Sequence, residues 1–481
     1  MKRRTGIIVG AAVAATCALG AGGAFAGQAI FAGPQSATTG VTPHGWSVTP
    51  AGNQIELGDK PFAGTLSPDH RFMVVSNDGQ GTQSLQVIET ATGKTMQTLA
   101  YKAPESLFVG AAFSPDGKKF YASAGGNQKI RVYDVAADGK LTEGQPILMN
   151  SASKADFDPA GIAVSADGKS LFTANNLDNS VSRIDLATGT VAATTPVGKD
   201  PYAVLLGADG KCLYAANWGE SSVSVLDPAT MAVTRTITVG LHPNALAQNP
   251  ATGAVYAANA DSDDVSVIDS ATGRVAQTIS LAPYEHARLG TTPDALALSP
   301  DGKTLYVANA GDNDVAVLDL GDGTPAHPAQ AKGLIPTGWY PTGIIPSPDG
   351  KQLTVLNSKG LGAGPNPNHH SNQWTPESQY VGSLVKGTAS VIGVPDEKQL
   401  GEYTRQVAAN NDFPGAAADG GFTDASGQGA GNSPIPRHPD QSSPIKHVIY
   451  VVKENRTYDQ VLGDLGKGNG DPSLTLFGKD T

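Results

Sequence analysis

The sequence predicts an all-β fold, a seven-bladed β-propeller, followed by a linker and the first β-strand and α-helix of an α/β domain. A unit that begins at Pro159 recurs at Pro201 and at Pro243, 42 residues apart each time. The chain has 58 Gly and 33 Pro but only 6% aromatic residues, which is typical of many tight turns rather than of long helices. Near the C-terminus, the uninterrupted apolar run at residues 448–452 breaks the alternating pattern and indicates a strand buried in a parallel sheet.

Residues 1–26 have the features of a secretory signal peptide. A basic segment at 2–4 precedes an apolar run at 7–19, and Ala24-Phe25-Ala26 matches the small-x-small cleavage pattern. We therefore expect secretion, with cleavage after Ala26, and a retained membrane anchor is the alternative. The pair Arg3-Arg4 leaves the twin-arginine route open beside general secretion.

Each repeat contains four short alternating runs separated by turns. In the repeat that begins at Pro293 the first three runs are ALALS, TLYVAN and DVAVLD. The turn SPDG at 299–302 has a physical basis: Pro fixes φ, Asp bonds its own backbone, and Gly accepts a positive φ. Four strands in a unit of roughly 40 residues make one blade of a β-propeller.

The runs LYVANAGDNDVAVLD, LYAANWGESSVSVLD and VYAANADSDDVSVID resemble the YVTN-type propeller repeat. Seven in-phase copies predict seven blades, within a propeller domain at 45–408. An Asn ends the second strand in all copies but the second, which has Ala124. We expect a structural role for this residue, in bonding the turn backbone. Its positions are Asn77, Asn175, Asn217, Asn259, Asn309 and Asn357.

The ring must be closed, because an open blade edge exposes unpaired backbone groups. The segment GNQIELGDKP at 52–61 matches a fourth strand and the Pro of the next repeat, but the three preceding strands are missing. We therefore expect the N-terminal segment to supply the outer strand of the last blade. The segment EYTRQVA at 402–408 is the alternative for that position.

The last blade is interrupted by a long insertion at 359–387. It contains His369-His370, but no carboxylate lies at ligand spacing, so metal binding there is disfavoured. The Asp pairs at 263–264 and at Asp312 and Asp314 are expected to be turn residues, with calcium binding as the less favoured alternative.

A Gly-, Ala-, Ser- and Pro-rich linker at 409–444 precedes a terminal segment at 445–481. The apolar run at 448–452 is predicted to be a buried strand, and TYDQVLGDL the helix that follows it. Glu454 and Asn455 stand beyond the C-terminal end of that strand, where α/β sheets bind their ligands. A carboxylate suits a divalent cation, and an amide can donate to a phosphate oxygen.

The segment KHVIYVVKENRTYDQVLGD resembles the opening of the phosphoesterase family that includes bacterial phospholipases C and an acid phosphatase, which is related to the alkaline-phosphatase superfamily. The whole mature chain resembles a secreted YVTN-type propeller fused to such a domain. The resemblance implies that Glu454 is a ligand of a divalent metal ion and that Asn455 lies at the metal and phosphate site. The family's nucleophile and other ligands lie further along than this sequence reaches. We therefore expect a truncated front portion that binds no cofactor and is inactive.

Two other functions remain open. The chain could be a non-catalytic propeller that binds an extracellular protein or a cell-surface polymer through one face. A propeller lactonase is less favoured, because it would need acidic metal ligands converging on the axis, and the repeats show no unmatched inward Glu or His. The net charge of −11 argues against nucleic-acid binding and against association with anionic membranes.

Overall fold

The structure, a computed structural model, describes residues 32–149, 156–285, 287–321, 328–363, 381–413, 444–452, 456–468 and 470–479. The predicted signal peptide, the pair His369-His370 and both predicted site residues, Glu454 and Asn455, lie outside these ranges. No helix in the described ranges is long and apolar enough to cross a membrane.

The chain begins with a small antiparallel sheet and one isolated strand. The small sheet has three two-residue strands: β1 (Gly33–Pro34), β2 (Gly40–Val41) and β3 (Ser47–Val48). The strand β4 (Asn53–Glu56) follows them and belongs to a sheet formed much later in the sequence.

Seven further sheets follow, each a meander of neighbouring antiparallel strands, which confirms the predicted seven blades. Blade 1 is β5 (Pro61–Leu66), β6 (Phe72–Asn77), β7 (Gln83–Glu89) and β8 (Lys94–Tyr101). Blade 2 is β9 (Ala111–Phe113), β10 (Lys119–Ala124), β11 (Lys129–Val135) and β12 (Leu141–Glu143), with a short β13 (Ile147–Leu148) that also pairs with β11. Blade 3 is β14 (Pro159–Val164), β15 (Ser170–Asn175), β16 (Ser180–Asp185) and β17 (Thr190–Pro196).

The remaining blades continue the series. Blade 4 is β18 (Pro201–Leu206), β19 (Leu213–Asn217), β20 (Ser222–Leu226) and β21 (Val233–Thr238). Blade 5 is β22 (Pro243–Gln248), β23 (Val255–Asn259), β24 (Asp264–Asp269) and β25 (Arg274–Ser280). Blade 6 is β26 (Pro293–Leu298), β27 (Thr304–Asn309), β28 (Asp314–Asp319) and β29 (Gln330–Pro336). Blade 7 is β30 (Trp339–Pro346), β31 (Gln352–Gly360) and β32 (Thr388–Gly393), completed by β4.

The hydrophobic core lies between neighbouring blades. Leu85 of blade 1, for example, belongs to one buried cluster with Phe120 and Tyr133 of blade 2. Second and third strands are buried almost throughout, whereas the fourth strand β17 alternates between exposed and partly buried residues. The first strands of successive blades contact one another, so they surround the ring axis.

The N-terminal strand closes the ring, as predicted. Strand β4 pairs antiparallel with β32, in a register that runs from Thr388↔Glu56 to Val391↔Asn53. The Ser390 hydroxyl also donates to Gln54 Oε1 at 2.8 Å. Blade 7 is therefore built from both ends of the ring, and the N-terminal strand covers the edge that β32 would otherwise expose.

The alternative closing segment is helical. Residues 402–408 lie in the helix α1 (Glu397–Asn410), which Asp396 caps by accepting a hydrogen bond from the backbone N–H of Gln399. This helix covers β29: a Cβ at Gly333 would meet Leu400 Cγ at 2.8 Å, so only glycine allows this close approach. The alternative, in which 402–408 forms the outer strand of blade 7, was wrong, because its apolar residues follow the helical rather than the strand period.

The SPDG turns form as expected. In the turn at Ser299, its hydroxyl donates to Asp301 Oδ1 at 2.6 Å, and the same oxygen accepts the Lys303 N–H at 3.1 Å. Gly302 has a φ of +68°. Hydrogen bonding with Ser299 and Lys303 lowers the pKa of Asp301, because both bonds favour the ionised carboxylate.

The terminal segment differs from its prediction in one part. Residues 448–452 form no strand, and their exposed fractions run from 68% to 89%. A strand of this kind can be buried on both faces only between neighbouring strands, and the described residues supply none. The predicted helix does form, as α2 (Tyr458–Leu462), with a capping box between Thr457 and Gln460. Short 3-10 helices lie at Gly125–Asn127, Val381–Ser383 and Pro472–Leu474.

Candidate functional site

The start of the first strand, the end of the second and the start of the third lie at the same end of each blade. In blade 3, Pro159 pairs with Asn175, and Asn175 pairs with Ser180. We call this end of the ring the upper face, and the end that carries the SPDG turns the lower face. The long insertion after Lys359 therefore leaves the ring on the upper face.

The recurrent Asn side chains of the upper face have a structural role, as expected. Asn217 Nδ2 donates to the hydroxyls of Ser222 and Ser224 at 2.8 and 2.9 Å. Asn175 makes the same pair of bonds to Ser180 and Ser182, each at 2.8 Å. The partners are side chains of the third strand rather than the turn backbone. These Asn residues thus fasten the second strand to the third.

The residue after the proline of each first strand lies near the axis. Tyr202 of blade 4 contacts Phe108, which precedes blade 2, edge to face with the ring centroids 6.0 Å apart. Side chains of blades that are not neighbours can meet only close to the axis. The equivalent residues in blades 5, 6 and 7 are Asn244, Asp294 and Thr342.

Asp294 is the chemically distinctive member of this set. Asn244 Nδ2 donates to Asp294 Oδ1 at 2.7 Å, which joins blades 5 and 6. Burial raises the pKa of Asp294 to about 7, although the Asn244 hydrogen bond acts in the opposite direction. As a residue, Asp294 is half-buried.

Two tyrosines interact electrostatically with Asp294, and a second acid interacts with one of them. Burial is the main cause of the raised pKa values of Tyr202 and Tyr340, and the negative charge of Asp294 adds to both. The charge of Asp78 of blade 1 also raises the pKa of Tyr202. Burial raises the pKa of Asp78 well above its ordinary value, and its buried Oδ1 has no hydrogen-bond partner in the described structure.

Positive charge and a second aromatic ring lie beside Tyr340. Lys359 Nζ lies 4.2 Å from the ring centroid of Tyr340 and 4.9 Å from that of Trp339, within the range of cation–π attraction. Burial lowers the pKa of Lys359, and the positive charge of Lys60 lowers it further.

A more exposed group lies on the upper face of blades 4 and 5. Trp218 is 40% exposed and stacks on His242, with the ring centroids 4.3 Å apart. His242 Nδ1 lies 2.6 Å from Asp261 Oδ2. The stacked rings offer a flat apolar surface with a polar rim.

The arrangement suits acid–base chemistry or polar recognition. Across the described ranges, no three or more His, Cys, Asp and Glu side chains are placed to hold a metal ion together. A carboxyl group with a pKa near 7 beside tyrosine hydroxyls can accept a proton at neutral pH. A hollow also opens at the lower face, lined by residues such as Gly64, Leu66 and Pro300, and the one titratable side chain among its described lining residues, His70, is exposed.

This axial set was not predicted from the sequence. Only inward Glu and His were considered as axial groups, whereas the axial acid is an Asp. The sequence signal for this set is the residue that follows the proline at the start of each repeat. This position changes from repeat to repeat, whereas its neighbours stay apolar. Its occupants are Phe62, Ala160, Tyr202, Asn244, Asp294 and Thr342.

Comparison with known families agrees with the ring. The pattern of the family described as lactonase, 7-bladed beta-propeller, matches residues 41–288, just over half of the 481 residues. The chain belongs to this family. The matched region of the lactonase-family propeller contains Tyr202 and Asn244, and it does not extend to the terminal segment.

Among solved structures, the chain is similar to hydrazine synthase from Kuenenia stuttgartiensis. The sequences are 23% identical, the match covers 62% of this chain and 92% of the other, and the TM-score is 0.52. At this identity the likeness shows the fold alone. No curated protein matches the sequence significantly.

Proposed function

We propose that this protein is an extracytoplasmic lactonase-family propeller joined to the opening segment of a metal-dependent phosphoesterase domain. The observation that carries the proposal is the terminal segment: five consecutive apolar residues at 448–452, each at least 68% exposed, stand before a capped helix. Such a run needs neighbouring strands to be buried, and a strand–turn–helix unit is how α/β domains begin.

In this proposal Glu454 ligates a divalent metal ion and Asn455 contacts the phosphate of the substrate. These roles rest on the resemblance of the motif. The ion would polarise the phosphate ester for hydrolysis. A nucleophile and further ligands would have to come from outside this sequence, so the chain alone is proposed to be inactive.

The direct test is an assay of purified residues 27–481 on a generic phosphomonoester and a phosphodiester with added divalent metal ions. We expect no turnover above background. A version lengthened by the codons that follow residue 481 in the gene should be active. Metal-dependent turnover by residues 27–481 that Glu454→Ala abolishes would overturn the proposal, because the propeller would then complete the site.

The propeller is proposed to act as the binding module of this protein, for an extracellular partner or a cell-surface polymer. The exposed stack of Trp218 on His242 supports this role, since aromatic faces bind sugar rings and apolar side chains. We expect Trp218→Ala to reduce retention of the protein on isolated cell envelopes, and the lower-face variant Asp167→Asn to leave it unchanged. Equal retention of both variants would contradict this role.

A second candidate, lactone hydrolysis, is favoured by Asp294. Its ionised carboxylate would take a proton from water as that water attacks the lactone carbonyl. The hydroxyl of Tyr202 or Tyr340 would donate a hydrogen bond to the oxyanion. As the ring C–O bond breaks, the proton would pass from Asp294 to the leaving alkoxide.

This candidate makes its own prediction. The rate on simple γ- and δ-lactones should rise with pH through about 7 as Asp294 loses its proton. Asp294→Asn should lower kcat by roughly 100-fold or more, the usual contribution of a general base. Asp167→Asn is the matched control. Unchanged lactone turnover in Asp294→Asn would exclude Asp294 as the base.

A further inference from the structure

The loop between the second and third strands has the same length in blades 3, 4, 5 and 6, which allows position-by-position comparison. In each, the Asn that ends the second strand pairs directly with the first residue of the third. In blades 3 and 4 that first residue is a serine, and its hydroxyl donates to a carboxylate two residues before it. Ser180 donates to Asp178 at 2.6 Å, and Ser222 donates to Glu220 at 2.9 Å.

Blade 6 has a carboxylate at both positions. Asp312 occupies the place of Asp178 and Glu220, and Asp314 occupies the place of the serine. A donor and an acceptor are thus replaced by two acceptors of the same charge. Their exposed fractions are only 6% for Asp312 and 0% for Asp314.

Each carboxylate keeps one oxygen without a partner. Asp314 Oδ1 accepts from Asn309 Nδ2 at 2.8 Å. The Oδ2 atoms of Asp312 and Asp314 are buried and have no hydrogen-bond partner in the described structure. Burial, reinforced by the charge of Asp312, raises the pKa of Asp314. Among the described residues, neither side chain forms an ion pair with Lys or Arg. A buried charge without a compensating partner is costly.

A third oxygen without a partner comes from the residue after helix α1. Asn411 is 3% exposed, and its Nδ2 donates to the backbone carbonyl of Asp312 at 2.6 Å. Its buried Oδ1 has no partner in the described structure. The amide is thereby held against the loop that contains Asp312.

A neighbouring acid has a separate role. Asp263 of blade 5 accepts the backbone N–H groups of residues 290, 291 and 292, at distances from 2.6 to 3.1 Å. Asp263 is therefore the turn residue that the sequence predicted. Its charge adds to the negative potential around Asp312.

We propose that Asp312, Asp314 and Asn411 bind one calcium ion between blade 6 and the end of helix α1. All three offer hard oxygen atoms, and carboxylate and amide oxygens are the protein ligands that calcium prefers. Two carboxylates would balance its charge, and water would complete the coordination. The site has only two carboxylates and an amide, which is consistent with the lack of a three-member His, Cys, Asp or Glu group among the described residues. The ion would fasten α1 to the ring that it covers.

The repeat itself supplies the test variant. Asp314→Ser recreates the pairing of Asp178 with Ser180, so it should fold at least as stably as the wild type without calcium. Asp178→Ser is the control, because it alters the equivalent loop of blade 3. The protein would be stripped with EDTA and titrated with CaCl₂ by calorimetry, and its thermal midpoint would be followed in parallel.

We expect the wild type and Asp178→Ser to bind one calcium ion per chain and to gain thermal stability with calcium concentration. Substituting a residue that only hydrogen-bonds to a metal ligand lowers metal affinity by about 10–100-fold. Asp314 is a proposed ligand itself, so Asp314→Ser should lower calcium affinity by at least about 100-fold. Asn411→Ala should also weaken binding. No calcium binding by the stripped wild type, or equal binding by Asp314→Ser, would overturn the proposal, since a shared proton would then satisfy the two carboxylates.

Discussion

Leu57 lies directly after the closing strand β4, and its substitution tests ring closure. The side chain is 3% exposed and packs in one cluster with Met73 of blade 1 and Leu356 of blade 7. Its N–H donates to the Gly387 carbonyl at 2.9 Å. Leu57→Ala removes three buried carbons, worth about 2.4 kcal/mol at about 0.8 kcal/mol each, and the cavity raises the expected cost to about 3 kcal/mol.

The control is Leu213→Ala in blade 4. Leu213 is 0% exposed and belongs to a cluster distant from the closure. Both variants should lower the free energy of unfolding by a similar amount, measured by denaturant titration. Only Leu57→Ala should speed hydrogen exchange at residues 53–56 and 388–391, by roughly 100-fold for about 3 kcal/mol of local destabilisation. Equal exchange at those residues in the two variants would refute closure by the N-terminal strand.

Two further predictions concern the upper face. The folded protein holds a proton on Asp294 up to a pH of about 7, whereas the unfolded chain releases it near the ordinary value of 3.8, so this group's contribution to stability falls as pH rises between these values. Asp294→Asn should flatten that decline in a pH series of unfolding curves, and an unchanged slope would show that Asp294 titrates normally. Asn217→Ala removes a side chain that bonds two buried serines and should cost about 1–3 kcal/mol. Asp167→Asn on the lower face should cost far less by the same measurement, and a near-neutral Asn217→Ala would argue against the structural role of these Asn residues.

The blades could be predicted from the sequence because each repeat contains its own strand and turn signals in a single phase. Closure could be predicted for the same reason: residues 52–61 match a fourth strand that lacks its first three. The helix α1 was ambiguous, because EYTRQVA fits a short strand until the cap at Asp396 is considered. Its docking on Gly333 depends on a residue about 70 positions away, which local pattern does not reveal.

The axial site could not be assembled from the repeats alone. Pattern places Tyr202 and Asp294 at equivalent points of different blades, but their approach to one another and to Asp78 depends on the diameter of the closed ring. The sequence predicted that Asp312 and Asp314 of blade 6 are turn residues. Only the structure shows that their Oδ2 atoms are buried without hydrogen-bond partners. The exposure of residues 448–452 likewise depends on which strands surround them, not on the run itself.

The most direct test of the proposed function is metal affinity at Glu454. Glu454→Gln keeps the size of the side chain and removes its charge. In the lengthened protein it should weaken divalent-metal binding severely, while the propeller's free energy of unfolding stays within about 1 kcal/mol, because the substitution lies outside the ring. In the chain that ends at Thr481 it should change nothing. Wild-type metal affinity in the lengthened Glu454→Gln variant would contradict the proposal and leave Glu454 as a residue at the end of a strand.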